Sequence, residues 1–420
     1  YEIAQCLVGS EMCIRDRASN CHEKESALNR MTRAAMTVDK RKETMRKNLF
    51  VRSIAAVSGI VMLASLAACG DNTSSAGNNS GSTSTEKITG SFSGAGATSQ
   101  QAAEEAWISA YMAANSGANV TYNPTGSGAG VTTFLSGATA WAGSDKALSD
   151  DEVTQSSDKA CANGTTAFDV PVYISPIAII FNLKGVSDAG KHINLDADTA
   201  AKIFDGKIVK WNDPAIANQN KDLTLPDTQI TVVHRSDKSG TTQNFVSYFK
   251  DQAPDSWTHE LSENWPDIPG QQSAKGTSGV VTAVKQADGT IGYADFSQVG
   301  DLGTAAIKVG ENYNEISADA GSKVIEDSEI DTSAKGDNRV VVKINHATKA
   351  KGAYPIVLVS YDIACPAYKD ANTAKFVKSW LTYVTSDEGQ QTAASAAGSA
   401  PMSNTLRQKV VKSIDAIKTK

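Results

Sequence analysis

The sequence lacks several features that would place it in a familiar class of proteins. Its 420 residues carry 40 Lys and Arg against 46 Asp and Glu, a net charge of −6, so the basic excess typical of nucleic-acid-binding proteins is missing. Aromatic residues make up only 6%, and no Cys-x-x-Cys pair occurs. The four histidines between residues 192 and 346 show no metal-ligand spacing. We therefore predict no nucleic-acid partner, no metal and no cofactor.

The chain also lacks a hydrophobic run of the ~20 residues that a stable membrane-spanning helix needs. A basic stretch begins at Met45, and residues 53–68 follow without a charge, ending in Leu66-Ala67-Ala68 before Cys69. This pattern is typical of a signal peptide and resembles the bacterial lipobox, in which the cysteine carries a lipid. The alternative is a buried core helix with Cys69 as an ordinary small apolar residue.

A polar segment rich in glycine, serine and threonine follows Cys69 and is typical of a flexible tether. We therefore predict a lipoprotein signal peptide at residues 45–68 and a lipidated cysteine with its tether at residues 69–87. Residues 1–44 precede a complete signal and are interpreted as non-native or over-extended sequence. The resulting location is the outer face of the cytoplasmic membrane.

Residues 70–420 carry 29 Lys and Arg against 39 Asp and Glu, a balance of −10. Any anion bound by this region is held against its overall field. Binding would then depend on local dipoles and a specific arginine.

The rest of the chain alternates strand-like and helix-like segments, which favours an α/β fold with a largely parallel sheet. Two long apolar segments, residues 168–183 and 353–361, interrupt this alternation. The first is too long and too rich in proline for one central strand, and it could cross between domains. We expect two α/β domains, residues 88–178 with 347–420 and residues 179–346, joined by two crossover strands. Cys161 and Cys365 would both lie in the first domain. The space outside the cytoplasm is oxidising, which favours a disulfide between them.

Four short segments combine glycine and hydroxyl residues with one or two charged residues. They read GAGATSQ at residues 94–100, TGSGAG at 125–130, GSD at 143–145 and RSDKSGTT at 235–242. Glycines let a backbone approach a ligand, and the amides at a helix N-terminus point at anions. An arginine adds a forked set of donors. Each segment alone is more often structural, but together they suit a tetrahedral oxyanion.

In their order and their amino-acid sequence, these segments resemble those of the phosphate-binding proteins of phosphate-specific ABC importers, which are class II periplasmic binding proteins. The resemblance covers about residues 88–420. Its matching stretches are residues 94–98, 122–130, 142–150, 203–211, 235–241 and 291–293. It implies a two-domain α/β fold in which each domain is a mixed, mostly parallel sheet flanked by helices. It also implies a monomer that captures phosphate between its domains and delivers it to an ABC permease.

The resemblance assigns ligand-binding roles residue by residue. The implied phosphate ligands are Thr98, Ser99, Ser127, Asp145, Arg235, Ser239, Gly240 and Thr241. Asp237 would pair with Arg235 and orient it. The family often has an aromatic residue where this chain has Ser99, a departure that would make the cover over the ligand less apolar.

Asp145 is the most informative of these residues, because a carboxylate repels an oxyanion unless the ligand supplies a hydrogen. Phosphate keeps one or two protons at neutral pH, whereas sulfate has none. We therefore expect Asp145 to select against sulfate.

Three other functions remain as alternatives. The first is a binding protein for another oxyanion, such as sulfate or molybdate, and the second is an adhesin that displays the same fold. The third is a phosphoryl-transfer enzyme, because DKSGT at residues 237–241 resembles the phosphorylation motif of P-type ATPases, with Asp237 as nucleophile. Those pumps need many membrane helices, which this sequence lacks. We therefore expect a binding protein rather than an enzyme.

Overall fold

The computed structural model describes residues 87–187 and 191–419, which belong to one compact unit, Thr83–Lys420. The predictions for residues 1–44, for the signal peptide at residues 45–68, for Cys69 and for nearly all of the tether lie outside the described residues. Within the described ranges, no helix has the length and apolar character needed to cross a membrane.

The first part of the fold alternates strands and helices, as expected from the sequence. Parallel strands β2 and β3 flank strand β1 on either side. The elements of this part, called the β1 side, are β1 (Gly90–Gly96), α1 (Gln101–Ala114), β2 (Ala118–Asn123), α2 (Ser127–Leu135), β3 (Trp141–Ser144) and α3 (Asp150–Lys159). Helix α3 was not predicted, although it begins with a capping box in which Ser149 and Glu152 each bind the other's backbone amide.

Strand β4 (Phe168–Asn182) corrects one prediction, because nearly all of the first apolar segment does form one central strand. Its first part, up to Pro176, pairs antiparallel with β13 (Val357–Ala364), and from Ile177 onward it pairs antiparallel with β8 (Thr290–Asp295). The prolines are tolerated because Pro171 lies beside a β-bulge and Pro176 lies where the strand changes partner. The change of partner also explains the length of the strand, since β4 belongs to two pairings in succession.

The second part of the fold, called the β6 side, contains β6 (Thr231–Arg235) between parallel strands β7 (Gln272–Ala274) and β8. Along the main path of the sheet, the strand order is β2-β1-β3-β13-β4-β8-β6-β7. Helices on this side are α4 (Ala197–Phe204), α5 (Pro214–Ala217), α6 (Gly240–Gln252) and α7 (Gly276–Gln286). Strand β9 (Gly303–Val309) pairs with β4, with β5 (Ile193–Leu195) and with β10 (Asn312–Asn314). The described residues therefore form a mixed α/β fold, which confirms the predicted class.

The remaining elements cover the sheet and complete the chain. They are α8 (Ala318–Glu326), the short hairpin of β11 (Glu329–Ile330) and β12 (Val342–Lys343), α9 (Ala371–Val384), α10 (Asp387–Ala397) and α11 (Asn404–Asp415). The sequence predicts amphipathic helices at about residues 369–385 and 403–419, and α9 and α11 match them. Helix α10 lies between them and was not predicted, because its sequence DEGQQTAASAA has no clear apolar stripe.

The interior behind β1 and β3 combines large aromatic side chains with two buried carboxyl groups. Trp141 packs against Trp380, with ring centroids 5.4 Å apart, and both side chains are fully buried. Asp362 on β13 is also fully buried, and burial raises its pKa to about 8. Burial and the nearby Asp362 raise the pKa of Glu104 well above its ordinary value. This part of the core therefore holds protons that a solvated carboxyl would lose.

Cys161 and Cys365 are joined by a disulfide in this structure, with an S–S distance of 2.05 Å and a sequence separation of 204. Cys161 follows α3, and Cys365 directly follows β13. The bond therefore ties the end of the β1 side to the strand that returns late in the chain.

Removing this disulfide is expected to destabilise the protein. The replacement Cys161→Ser with Cys365→Ser should lower the free energy of unfolding by about 2–5 kcal/mol, because the long loop gains freedom in the unfolded chain. Urea unfolding of the oxidised protein and of this double variant measures the difference. An equal free energy of unfolding in the two proteins would show that the bond does not stabilise the fold.

Asp362 should make stability depend on pH. The unfolded chain loses this proton near the ordinary pKa of 3.8, whereas the folded protein keeps it up to about pH 8. The free energy of unfolding should therefore fall, by up to about 1.4 kcal/mol per pH unit, as the pH rises between these two values. Asp362→Asn should remove this contribution to the pH dependence, because asparagine does not titrate. Urea unfolding of both proteins from pH 4 to pH 8 tests the expectation, which parallel curves would contradict.

Candidate functional site

The carboxylate of Asp145 lies at the centre of a cluster of hydroxyl groups. Asp145 directly follows β3, and only 2% of its surface is exposed. Ser99 and Ser360 each donate a hydrogen bond to its Oδ1, and Thr241 donates one to its Oδ2; all three bonds measure 2.6 Å. A buried carboxylate needs such donors, because the loss of water would otherwise be costly.

The donors to Asp145 come from three parts of the chain. Ser99 precedes α1 on the β1 side, Thr241 lies in the first turn of α6 on the β6 side, and Ser360 lies in β13. The backbone is held as well. The Asp145 amide donates to the Ser127 hydroxyl over 3.2 Å, and the Asn244 side chain donates to the Asp145 carbonyl over 2.6 Å. One carboxylate therefore joins the two sides of the fold.

Gly240 allows this close approach. A Cβ atom at residue 240 would lie only 2.9 Å from Asp145 Cβ and 2.9 Å from Ser127 Oγ. Real Cβ atoms essentially never come so close to other heavy atoms. Glycine is therefore needed here for packing between the β1 side and the β6 side, in addition to any role of its amide.

Arg235 is the last residue of β6, and only 3% of its surface is exposed. Its Nε donates to Asp237 Oδ1 over 2.7 Å, and its Nη2 donates to Asp237 Oδ2 over 2.5 Å. The Gly276 amide adds a third hydrogen bond to this carboxylate, 3.0 Å long. Burial raises the pKa of Asp237, but the hydrogen bonds and the charge of Arg235 outweigh it and leave the pKa below its ordinary value. The pairing of Asp237 with Arg235 is the one expected.

Thr98 forms a further bridge between the two sides. Its hydroxyl lies 2.8 Å from the hydroxyl of Thr277 and accepts a hydrogen bond from the Thr277 amide over 3.1 Å. Its carbonyl accepts from the side chain of Gln298 over 2.8 Å. Thr98 precedes α1, whereas Thr277 lies in the first turn of α7. The N-terminal ends of two helices therefore meet at this bridge.

Ser239 makes hydrogen bonds within the protein through both its hydroxyl and its amide, which the sequence did not predict. Its hydroxyl caps α6 by accepting from the Thr242 amide over 3.2 Å, and its own amide donates to the Glu263 carbonyl over 2.9 Å. The hydroxyl hydrogen is the group that Ser239 has to offer a ligand.

Direct contacts connect the predicted site residues. Asp145 contacts Ser99, Ser127 and Thr241, and the carboxylate of Asp237 lies 2.4 Å from where a Cβ of Gly126 would be. Each predicted residue with a side chain is at most 7% exposed, apart from the partly buried Asp237; the set comprises Thr98, Ser99, Ser127, Asp145, Arg235, Asp237, Ser239, Gly240 and Thr241. Their assignment as phosphate ligands stays a prediction.

The glycines of the first segment have a different role from the one expected. A Cβ on Gly94 would lie 2.2 Å from the Trp141 indole, and a Cβ on Gly96 would lie 1.9 Å from the Gly143 carbonyl oxygen. These glycines therefore make room for a core side chain and for the neighbouring strand β3, rather than for a ligand.

Among the hydroxyl groups of the site, sequence reasoning missed those of Thr277 and Ser360. Thr277 belongs to a fifth segment of the same composition, KGTSG at residues 275–279, which directly follows β7 and includes the first turn of α7. Its likeness to the other four could have identified it. Ser360 is a single hydroxyl residue within the apolar strand β13. A buried hydroxyl in such a strand needs a partner, but the sequence does not indicate which one.

The described residues contain no group of three or more His, Cys, Asp or Glu side chains that could hold a metal ion. The chemistry available at this site is therefore that of hydrogen-bond donors, one arginine and two carboxylates. Such a site can hold an anion.

Comparisons with known proteins agree with this chemistry. A family model described as the PBP superfamily domain matches residues 81–388. The phosphate-binding protein PstS2 of Mycobacterium bovis is 36% identical over 381 residues, which cover 88% of this chain and 99% of the relative. The phosphate-binding protein PstS of Xylella fastidiosa is 33% identical, covering 68% of this chain and 74% of that one.

Among solved structures, a high-affinity periplasmic phosphate-binding protein with bound phosphate, PfluDING, superimposes with a TM-score of 0.62. The match covers 76% of this chain and 93% of that one at 22% identity, and it supports the fold. From the family model and the two relatives together, this chain belongs to the PstS family of phosphate-binding proteins within the PBP superfamily.

Proposed function

We propose that this protein binds inorganic phosphate outside the cytoplasm and delivers it to the permease of an ABC transporter. Membership of the PstS family supports the ligand. The observation that carries the proposal is the buried carboxylate of Asp145, surrounded by hydroxyl groups from both sides of the fold. This arrangement suits an anion that brings its own hydrogen.

Phosphate is held mainly by hydrogen bonds rather than by net charge. Two of the five guanidinium donors of Arg235 bind Asp237, which leaves three for an oxyanion. Asp237 also offsets the positive charge of Arg235. Helices α2, α6 and α7 begin at Ser127, Gly240 and Gly276, and their first amides add partial positive charge. The predicted ligands Thr98, Ser99, Ser127, Arg235, Ser239, Gly240 and Thr241 supply the donors.

Selectivity comes from Asp145, the single carboxylate among the predicted ligands. A protonated phosphate oxygen donates its hydrogen to this carboxylate. Sulfate brings no hydrogen, so it would place a negative charge against another in a buried site. This repulsion between like charges in a buried site makes sulfate the weaker ligand. This difference disfavours the alternative of a sulfate- or molybdate-binding protein.

Binding closes two domains around the ligand. The proposed domains are residues 88–178 with 347–420 and residues 179–346. Strand β4 crosses from the first to the second, and the chain returns to the first just before β13. Contacts across this division, such as Asp145 to Thr241 and Thr98 to Thr277, support closure over the site. Because the ligand would touch both domains, it stabilises the closed form that a permease can distinguish from the open one.

The protein acts as a monomer on the outer face of the cytoplasmic membrane, anchored by a lipid on Cys69. The lipobox-like residues before Cys69 and the tether after it support this location. A binding protein on such a tether remains close to the permease in the same membrane.

An enzyme that uses Asp237 as nucleophile is disfavoured. Both oxygens of Asp237 are engaged by Arg235, and the Gly276 amide binds one of them. A carboxylate held in this way is poorly placed to attack phosphorus. Its contacts orient Arg235 instead.

Replacing Asp145 by asparagine should relax selectivity. The asparagine keeps the size of the side chain, and the hydroxyls around it can turn to accept from its amide, so the fold should persist. The ratio of the sulfate to the phosphate dissociation constant should fall by at least about tenfold. Titration calorimetry with each anion measures both constants. An unchanged ratio in a folded Asp145→Asn protein would contradict the role of this carboxylate.

The substitution Gly240→Ala should weaken phosphate binding by at least about tenfold, because its methyl group would prevent the close approach of the β1 side and the β6 side. Gly279→Ala is the matched control. Gly279 lies inside α7, and its added Cβ would meet its nearest neighbour at an ordinary 3.5 Å. Calorimetry should show nearly unchanged affinity for Gly279→Ala. Equal affinities of the two variants would contradict the importance of close approach at residue 240.

A further inference from the structure

A cluster of charged side chains lies beside the proposed phosphate site. Its central residue is Glu263, which is only 6% exposed. Glu263 Oε2 lies 3.8 Å from Lys146 Nζ and 3.3 Å from Lys238 Nζ. We call these three residues the Glu263 cluster. Lys238 is half exposed, so the cluster extends from solvent to the buried site.

The two lysines come from opposite sides of the fold. Lys146 follows Asp145 on the β1 side, whereas Lys238 precedes Ser239 on the β6 side. Glu263 belongs with Lys238, because the Glu263 carbonyl accepts a hydrogen bond from the Ser239 amide over 2.9 Å. The pair of Lys146 and Glu263 therefore crosses between the two sides, and the pair of Lys238 and Glu263 does not.

Lys238 also contacts the β1 side through its backbone and the stem of its side chain. Its carbonyl accepts from the Gly128 amide over 3.3 Å. A Cβ on Gly128 would lie 2.5 Å from Lys238 Cδ, so the lysine stem packs directly against this glycine. The turn that carries Lys238 is thus in contact with the N-terminal turn of α2.

The stability of the fold alone does not account for Glu263. Its Oε1 is buried without a hydrogen-bond partner among the described residues. Burial raises the pKa of its carboxyl, although Lys146 and Lys238 oppose the rise. Lys146 already has a shorter partner on its own side, Glu152 at 2.7 Å. A buried charge with incomplete pairing is weak evidence for stabilisation and better evidence for holding one particular arrangement.

From this geometry, we propose that the ion pair of Glu263 and Lys146 holds the protein closed and slows the release of phosphate. The inference rests on the proposed phosphate-binding function. Opening separates the β1 side from the β6 side, so it must break this pair. Neither residue is among the predicted ligands, so loss of the pair changes the rate of opening and leaves the contacts to phosphate in place.

The test is the rate at which radiolabelled phosphate leaves the protein when excess unlabelled phosphate is added. Glu263→Gln and Lys146→Gln should each raise the dissociation rate constant by roughly five- to tenfold, and the association rate constant should stay nearly constant. The double variant should show no further increase, because each single change already removes the pair. Lys238→Gln should cause a smaller increase.

Asp227→Asn is the control. It breaks an ion pair with Lys210 of 2.6 Å that is exposed and lies on the β6 side, so release should be unchanged. Circular dichroism first establishes that each variant is folded, and Lys146→Gln serves if Glu263→Gln is not.

Wild-type release rates in folded Glu263→Gln and Lys146→Gln would overturn the inference, and so would additive effects in the double variant. A weaker affinity caused only by slower association would overturn it as well, since it would assign the lysines to attraction of the anion. Failure of the proposed function would look different, because the wild-type protein itself would then bind no phosphate.

Discussion

The need to satisfy a buried carboxylate organises the candidate site. Asp145 is almost fully buried, and a charge in such surroundings is tolerated only when hydrogen bonds replace its lost water. Hydroxyl groups that are far apart in the sequence, on Ser99, Thr241 and Ser360, supply those bonds. The Asp145 carboxylate therefore contacts the β1 side, the β6 side and strand β13. Gly240 removes the side chain that would keep them apart.

Directed hydrogen bonds also explain how an acidic protein can hold an anion. Arg235 brings a positive charge to the site, but Asp237 offsets it through two hydrogen bonds. The balance of −10 in residues 70–420 gives no general attraction for anions. Directed donors must then supply the binding energy, and the starts of α2 and α6 provide them alongside the hydroxyl groups. Specificity follows from the direction of each hydrogen bond rather than from charge.

Much of this arrangement could be predicted from the sequence because it depends on local signals. Glycine and hydroxyl residues between a strand and a helix identified the segments around Thr98, Ser127 and Thr241. Contacts between segments that are distant in the sequence are harder to predict, because no local sequence pattern indicates them. Ser360 looks like one polar residue in an apolar strand, and the length of β4 is explained only by the two partners that it meets in turn. The role of Gly94 depends on Trp141, which lies more than forty residues away in the sequence.

The measurement that tests the central claim most directly is titration calorimetry of the wild-type protein with phosphate, arsenate and sulfate under identical conditions. If the Asp145 carboxylate accepts a hydrogen from the ligand, phosphate and arsenate, which both carry protons at neutral pH, should bind, and sulfate should not. Binding of sulfate with an affinity equal to that of phosphate would contradict the account.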